Sequence, residues 1–232
     1  MSKDLSDSAI VKDFYSNYYL RMFNSEKKTK FNVADIAYKF THEALEKDVL
    51  RDNLDQKILE IGAGNGEHLR FVKQNFREYI MVDKQKPKQL LFKNKKVKFI
   101  EKDINDCVFK PNSFDRVIIT CVLHHLDNPF SMLTKIKIWL KPGGTVSIFL
   151  PCDPGIIVRL SRAFFVNPKA KKLGFYKYHL LNALEHKNHV WGLQIILKEI
   201  FHKYNISITY YPFNIPSNNF NLFSIWQITK KG

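Results

Sequence analysis

Residues 58–67 read Ile-Leu-Glu-Ile-Gly-Ala-Gly-Asn-Gly-Glu, and no other stretch limits the fold so tightly. An apolar run ends in an acid, three glycines follow at alternate positions, and a helix-compatible segment comes next. The pattern predicts a strand, a tight turn and a helix. Gly62, Gly64 and Gly66 remove Cβ atoms where the backbone turns at positive φ and a ligand nears the main chain. The spacing separates two kinds of nucleotide site. A dinucleotide turn of the form G-x-G-x-x-G needs glycine at position 67, which is Glu. Pyrophosphate favours a helix N-terminus free of carboxylates. Glu60 and Glu67 flank this turn instead, which suits a ligand carrying positive charge.

Further apolar runs follow in order. Tyr79-Ile-Met-Val-Asp83 predicts a second strand, ending in an acid able to accept both ribose hydroxyl bonds. Val97–Glu101 predicts a third, followed by Asp103 to receive an adenine amino proton and Ile104 beside the ring. Phe114–Cys121 is almost continuously apolar, as a strand buried on both faces should be. Lys141-Pro-Gly-Gly144 then ends a helix and opens a fifth strand, Thr145–Leu150. From about Lys57 to Leu150 this order of motifs resembles the class I S-adenosylmethionine (SAM)-dependent methyltransferases. The resemblance implies an α/β, Rossmann-like sheet of seven mostly parallel strands, order 3-2-1-4-5-7-6, with the last strand antiparallel. It places SAM against Glu60, Gly62, Ala63, Gly64 and Gly66, with Asp83 and Lys84 at the ribose and Asp103 with Ile104 at the adenine. Cys121 and Val122 then line the passage to the acceptor. Near the C-terminus, Ile206–Phe213 and Asn221–Thr229 alternate as two strands of a hairpin. That hairpin suits the methyltransferases, whereas a dehydrogenase would continue with parallel strands and helices.

The chain has 232 residues, 45% of them hydrophobic, enough for one α/β core, and no Pro/Gly/Ser-rich linker divides it. It reads as a single domain over residues 1–232. Residues 1–53 form a helical lid, 54–150 the SAM-binding core, 151–190 an acceptor cap inserted after the fifth strand, and 191–232 a helix and terminal hairpin. Cys107, Cys121 and Cys152 are odd in number and widely spaced, so they read as buried thiols of a reducing compartment. No apolar run reaches the length of a membrane span and the first residues lack a signal-peptide core, so a cytoplasmic location is expected. The net charge of +15 raises the question of nucleic acid. The excess is scattered lysine, densest over Lys84–Lys98, where a solvated surface helix and loop are expected. Base-amine methylases of the family carry an Asn/Asp-Pro-Pro-aromatic motif after the fourth strand. Thr120-Cys-Val-Leu-His-His125 stands there instead, which argues against nucleic acid as the partner.

Two regions outside the core must supply the acceptor site. Residues 10–23 carry aromatics at helical spacing, Tyr19 among them. Residues 32–50 place Val33, Ile36, Ala37, Phe40, Ala44 and Leu45 on one helical face. They read either as an edge cover for the sheet or as a lid over the donor. The cap opens with Pro151-Cys-Asp-Pro-Gly155 at the carboxyl end of a strand, where open α/β sheets bind ligands. Its basic residues, Arg159 and Arg162 among them, are interleaved with Phe164, Phe165, Phe175, Tyr176 and Tyr178, while its acids are Asp153 and Glu185. That mixture suits a small acceptor carrying phosphate, or a solvated helix with a few core aromatics.

His124 and His125 follow the fourth strand, and a histidine there can take a proton from a hydroxyl or ammonium acceptor. His186 and His189, spaced to share a helix face, are further candidates. The bases are thus His124, His125 and His189, and the acceptor contacts add Asp153, Arg159, Tyr176, His186 and Tyr19. No metal is expected, because two helical histidines lack a third placed ligand. The other histidines, His42, His68, His179 and His202, read as ordinary helix or surface residues. The functional expectation is methyl transfer from SAM to oxygen or nitrogen of a small, phosphorylated or nucleotide-linked acceptor of surface-glycan (polysaccharide) assembly. The alternatives are a phospholipid-headgroup N-methyltransferase in peripheral contact with membrane, and a SAM-binding or RNA-interacting module without turnover. Monomer and homodimer are both open.

Overall fold

The structure is a computed structural model that describes residues 7–23, 33–47, 49, 55–85 and 94–232. It begins with helices α1 (Asp7–Asn17), α2 (Tyr19–Phe23) and α3 (Val33–Leu45). Strands β1 (Gln56–Ile61), β2 (Phe76–Asp83), β3 (Val97–Glu101) and β4 (Phe114–Thr120) follow, then helix α4 (Pro129–Trp139) and strand β5 (Leu140–Pro151). The cap holds α5 (Ile156–Ser161), a π turn (Arg162–Val166), α6 (Asn167–Lys172) and α7 (Tyr178–Glu185). Helix α8 (Val190–Ile200) and strands β6 (Asn205–Tyr211) and β7 (Phe223–Thr229) complete the chain. The seven strands form one sheet in the order β3-β2-β1-β4-β5-β7-β6, with β7 antiparallel to both neighbours and the remaining pairs parallel.

Alternation along the strands builds a core on each face of the sheet. Leu59, Ile61, Val117, Ile119, Val146 and Ile148 face α4 and α8, where Leu133, Ile136, Leu193 and Leu197 meet them. Ile58, Tyr79, Met81, Ile118 and Ile225 face the other way, toward Ala44 and Leu45 at the end of α3. Fully burying each such aliphatic chain is worth about 1.5–3 kcal/mol before entropy is counted.

The structure corrects three local expectations. The glycine turn is followed by a single 3-10 turn, Glu67–Arg70, rather than a helix. Only residues 62–75 separate β1 from β2, and α3 already covers that flank: its His42 ring stacks on Phe71 with centroids 5.0 Å apart. Secondly, His42 and His68 are buried. His68 Nε2 lies 3.0 Å from Glu46 Oε1, and His68 Nδ1 lies 2.8 Å from His42 Nδ1. The carboxylate can only accept, so His68 donates from Nε2 and receives the His42 proton at Nδ1. Glu46 also meets Arg116, which projects from the middle of β4 and bonds Gln74 and Ser147. Thirdly, His186 and His189 do not share a helix, because α7 ends at Glu185 and α8 begins at Val190.

The N-terminal helices α1 and α2 pack on the cap. Ile10, Phe14 and Met22 join Ala170, Phe175 and Leu181 in a third apolar cluster. Of the predicted α3 face, Ala44 and Leu45 are buried and Phe40 is exposed. The side chains of Val33, Ile36 and Ala37, and residues 86–93 of the lysine run, lie outside the described residues.

Candidate active site

The carboxyl ends of β1, β2, β3 and β4 lie side by side and carry the first half of the site. Gly62, Gly64 and Gly66 take φ values of 72°, 54° and 80°, the left-handed region open to glycine. A Cβ on Gly62 would stand 2.1 Å from Val122 Cγ2, so the turn packs directly on the segment that leaves β4. The Gly64 N–H donates to Asp83 Oδ2 at 2.9 Å, tying the turn to the end of β2. Just past the end of β3, Asp103 accepts from the Asn105 N–H at 2.9 Å and pairs with Lys84 at 3.0 Å, with Ile104 buried beside it. Glu60 lies buried beneath the turn. Burial raises its carboxyl pKa to about 8, against the lowering effect of the Tyr79 hydroxyl, which donates to it at 2.8 Å.

Two further residues stand near these acids. Cys121 leaves β4 at φ 55°, a left-handed conformation that costs a side-chain-bearing residue about 1–2 kcal/mol. It is open to solvent yet walled by protein, and desolvation pushes its thiol up to about 12. Tyr19 comes from α2 to the neighbourhood of Glu67, Cys121 and Asp83. Burial first, then the charges of Glu67, Cys121 and Asp83, raise its hydroxyl pKa. Acids at Glu60 and Glu67 by the turn, with Asp83 and Asp103 at the ends of successive strands, could hold a cationic nucleoside: sulfonium and ammonium near the turn, ribose and adenine beyond it.

The second half of the site lies where the turn after β4 meets the cap. His124 is buried, with its ring centroid 4.1 Å from His125 and 4.4 Å from His186. Burial, then the neighbouring His125 and His186, holds His124 well below the usual imidazole range, and burial also lowers His125. Both are therefore neutral at pH 7. His125 Nδ1 donates to the Glu185 carbonyl at 2.9 Å. His186 Nδ1 donates to Asp153 Oδ2 at 2.6 Å, which fixes the tautomer and leaves Nε2 with its lone pair. Arg162 grips the same carboxylate with two bonds of 2.7 Å. Burial raises the Asp153 pKa, but the His186 and Arg162 bonds outweigh it and hold the carboxyl at about 2. Asp153 and His186 open onto a cleft of about 640 Å³ between α5 with its π turn and α7, lined also by Ile156, Arg159, Arg162 and Asn182.

Of the sequence-predicted acceptor residues, this cleft gathers Asp153, Arg159 and His186, with His124 and His125 against His186. Tyr19 stands on the donor side. Tyr176 lies at the surface, and His189 is an exposed N-cap whose Nδ1 accepts from the Gly192 N–H at 3.3 Å. Arg162 was visible only as one of several basic residues, because nothing local in sequence marks it as the partner of Asp153. Tyr15 was missed: its hydroxyl donates to Glu185 at 3.3 Å, linking α1 to the residue that holds His125. One ring nitrogen from each of His124, His125 and His186 lies within 4.8 Å of the others, a spacing a metal ion could use. The Arg162 guanidinium, 3.3 Å from His186 Nδ1, sets positive charge against that use. Another hollow of about 660 Å³, between α8 and the terminal hairpin, shares no lining residue with either half of the site.

Comparison with known proteins agrees with this geometry. The methyltransferase domain family matches residues 59–148. An uncharacterized protein of Methanocaldococcus jannaschii is 33% identical over 181 residues, covering 73% of this chain and 81% of that protein. The plantazolicin methyltransferase BpumL, solved in complex with SAH, superposes with a TM-score of 0.63 at 15% identity, covering 97% of this chain and 95% of that chain. A putative SAM-dependent methyltransferase of Listeria monocytogenes does so with a TM-score of 0.58 at 16% identity, covering 84% of this chain and 100% of that chain. The chain belongs to the class I SAM-dependent methyltransferases. Its methyl donor is SAM, and the demethylated product is S-adenosylhomocysteine (SAH). Among the described residues, no helix is long and apolar enough to cross a membrane.

Proposed function

We propose that the enzyme methylates a hydroxyl oxygen of a small anionic acceptor seated between α5 and α7. The reading rests on the Asp153–His186 pair, a carboxylate bonded at 2.6 Å to one imidazole nitrogen at the mouth of a cleft that also offers Arg159 and Arg162. SAM supplies an electrophilic methyl on a sulfonium. The chain's part is to align an acceptor oxygen with that methyl, exclude water and take one proton. His186 Nε2 receives the hydroxyl proton as the new O–CH₃ bond forms, and Asp153 stabilises the imidazolium. Arg159, exposed on the rim, meets the acceptor's phosphate; Arg162 stays committed to Asp153. Neutral His124 packs against His186 and helps hold its ring in place. A sugar phosphate or nucleotide-linked sugar has both groups the cleft asks for, a free hydroxyl and a phosphate.

The test is SAH formation across a panel of phosphorylated sugars and nucleotide sugars. With the best acceptor, His186→Gln is expected to lower kcat roughly 10²- to 10⁴-fold while SAH affinity holds. Asp153→Asn should give a smaller loss. Unchanged kcat in His186→Gln would remove the base from this account.

A further inference from the structure

The cap presents a surface that methyl transfer to a soluble acceptor does not require. Residues 156–180 contain no aspartate or glutamate, yet expose six large apolar side chains: Ile156, Leu160, Phe164, Phe165, Tyr176 and Leu180. Phe164 and Phe165 are each 68% exposed, within a π turn none of whose five residues is buried. The same segment exposes the cations of Arg159, Lys171, Lys172 and Lys177. Soluble proteins seldom leave such an apolar concentration open to water without a partner. Ile156 and Leu160 also line the acceptor cleft, so this surface reaches its edge.

We infer that residues 156–180 dock the enzyme on an anionic lipid bilayer, with Phe164 and Phe165 entering the headgroup region and the lysines meeting lipid phosphates. Apolar side chains combined with cations, and no acid between them, form the pattern of an interfacial segment. A second copy of the chain is a poor occupant. A two-fold interface sets each patch on itself and would bring the same cations together. Nucleic acid would use Phe164, Phe165 and Tyr176 as stacking platforms but would leave the aliphatic half of the patch, Ile156, Leu160 and Leu180, uncovered. Combined with the proposed function, on which this last step rests, docking identifies the acceptor as an anionic amphiphile whose phosphate-bearing head reaches the cleft from the membrane.

Co-sedimentation of the full chain with vesicles separates these outcomes. Binding is expected to vesicles of phosphatidylcholine mixed with phosphatidylserine. It should be weak to phosphatidylcholine alone, and it should fall as salt rises. The double variant Phe164→Ser/Phe165→Ser should lose ~10-fold or more of that partitioning, while SAH binding by calorimetry stays unchanged and certifies the fold. No binding to the anionic vesicles overturns the inference, as does a double variant that binds them like the wild type. So does a wild-type dimer in light scattering that this variant dissolves, or RNA displacing the vesicles at equal charge. Failure here leaves transfer to soluble acceptors intact; failure of every acceptor in the turnover assay leaves the vesicle result intact.

Discussion

Arg116→Met should destabilise the protein by about 3–5 kcal/mol, because it strands a buried carboxylate. Arg116 is 1% exposed and Glu46 is fully buried. The Arg116 Nη1 donates to Glu46 Oε2 at 3.0 Å and to Gln74 at 2.8 Å, Nη2 lies 2.7 Å from Glu46 Oε1, and Nε donates to Ser147 at 3.0 Å. Methionine fills much of the same volume, so the loss reports charge and hydrogen bonding more than a cavity. Glu46 would keep only His68, whose own pKa burial lowers and which therefore holds no charge at pH 7 to offer in place of Arg116. For a domain of this size the loss corresponds to a melting temperature lower by roughly 6–20 °C. The informative measurement is a double-mutant cycle in urea with Glu46→Met. Removing both charges leaves no uncompensated ion, so Arg116→Met/Glu46→Met should recover most of the stability lost by either single change. A single variant costing under about 1 kcal/mol, or a double variant no better than the singles, would refute the argument.

Three further outcomes follow from the same reasoning. Glu60→Gln should weaken SAH binding about tenfold or more by calorimetry, because Glu60, held at about 8 by burial, releases its proton as the ligand's ammonium arrives and forms an ion pair that a neutral amide cannot; unchanged affinity would remove Glu60 from the donor site. Gly62→Ala should abolish SAH binding and lower the melting temperature, because its Cβ would stand 2.1 Å from Val122 Cγ2 at a φ of 72°; a variant that binds and melts normally would contradict the packing of the turn. Stability should fall on acidification. Burial first, then His68, holds His42 at about 3, so an unfolded-state proton is refused between pH 6.5 and 3, while Arg116 and His68 overcome burial to hold Glu46 at about 2. Both terms are fully present above the unfolded pKa values and vanish as pH drops through the folded ones. Urea midpoints should decline from pH 7 to pH 4 in the wild type and less steeply in His42→Phe, whose slope loses up to about 1.4 kcal/mol per pH unit.

Much of the sheet was legible because its strands are apolar on both faces and end in punctuation that glycine or an acid supplies. Ile58–Gly62 and Tyr79–Asp83 could be placed from these signs alone, and the hairpin of β6 and β7 from its alternation. The buried network was less legible, since its members lie 22 to 70 positions apart. One sign was present: Arg116 interrupts an otherwise apolar run, and a charge in a strand buried on both faces needs a buried partner. The helix expected after Gly66 failed because local periodicity takes no account of a flank that α3 already occupies. At the acceptor cleft, residue types could be guessed but not their pairing. Asp153 and His186 are 33 positions apart and meet only because β5 and the end of α7 converge. His189, three residues further on, was drawn to the loop's other end as the cap of α8.

The apolar cluster joining α1 and α2 to α6 and α7 makes one continuous helical layer of what the chain supplies from two distant segments. Tyr19 stands near Asp83 and Cys121, and the Tyr15 hydroxyl donates to Glu185 beside the histidines. A change that loosens α1 from the cap should therefore be felt on both sides of the site at once, because the two tyrosines ride on one packed layer.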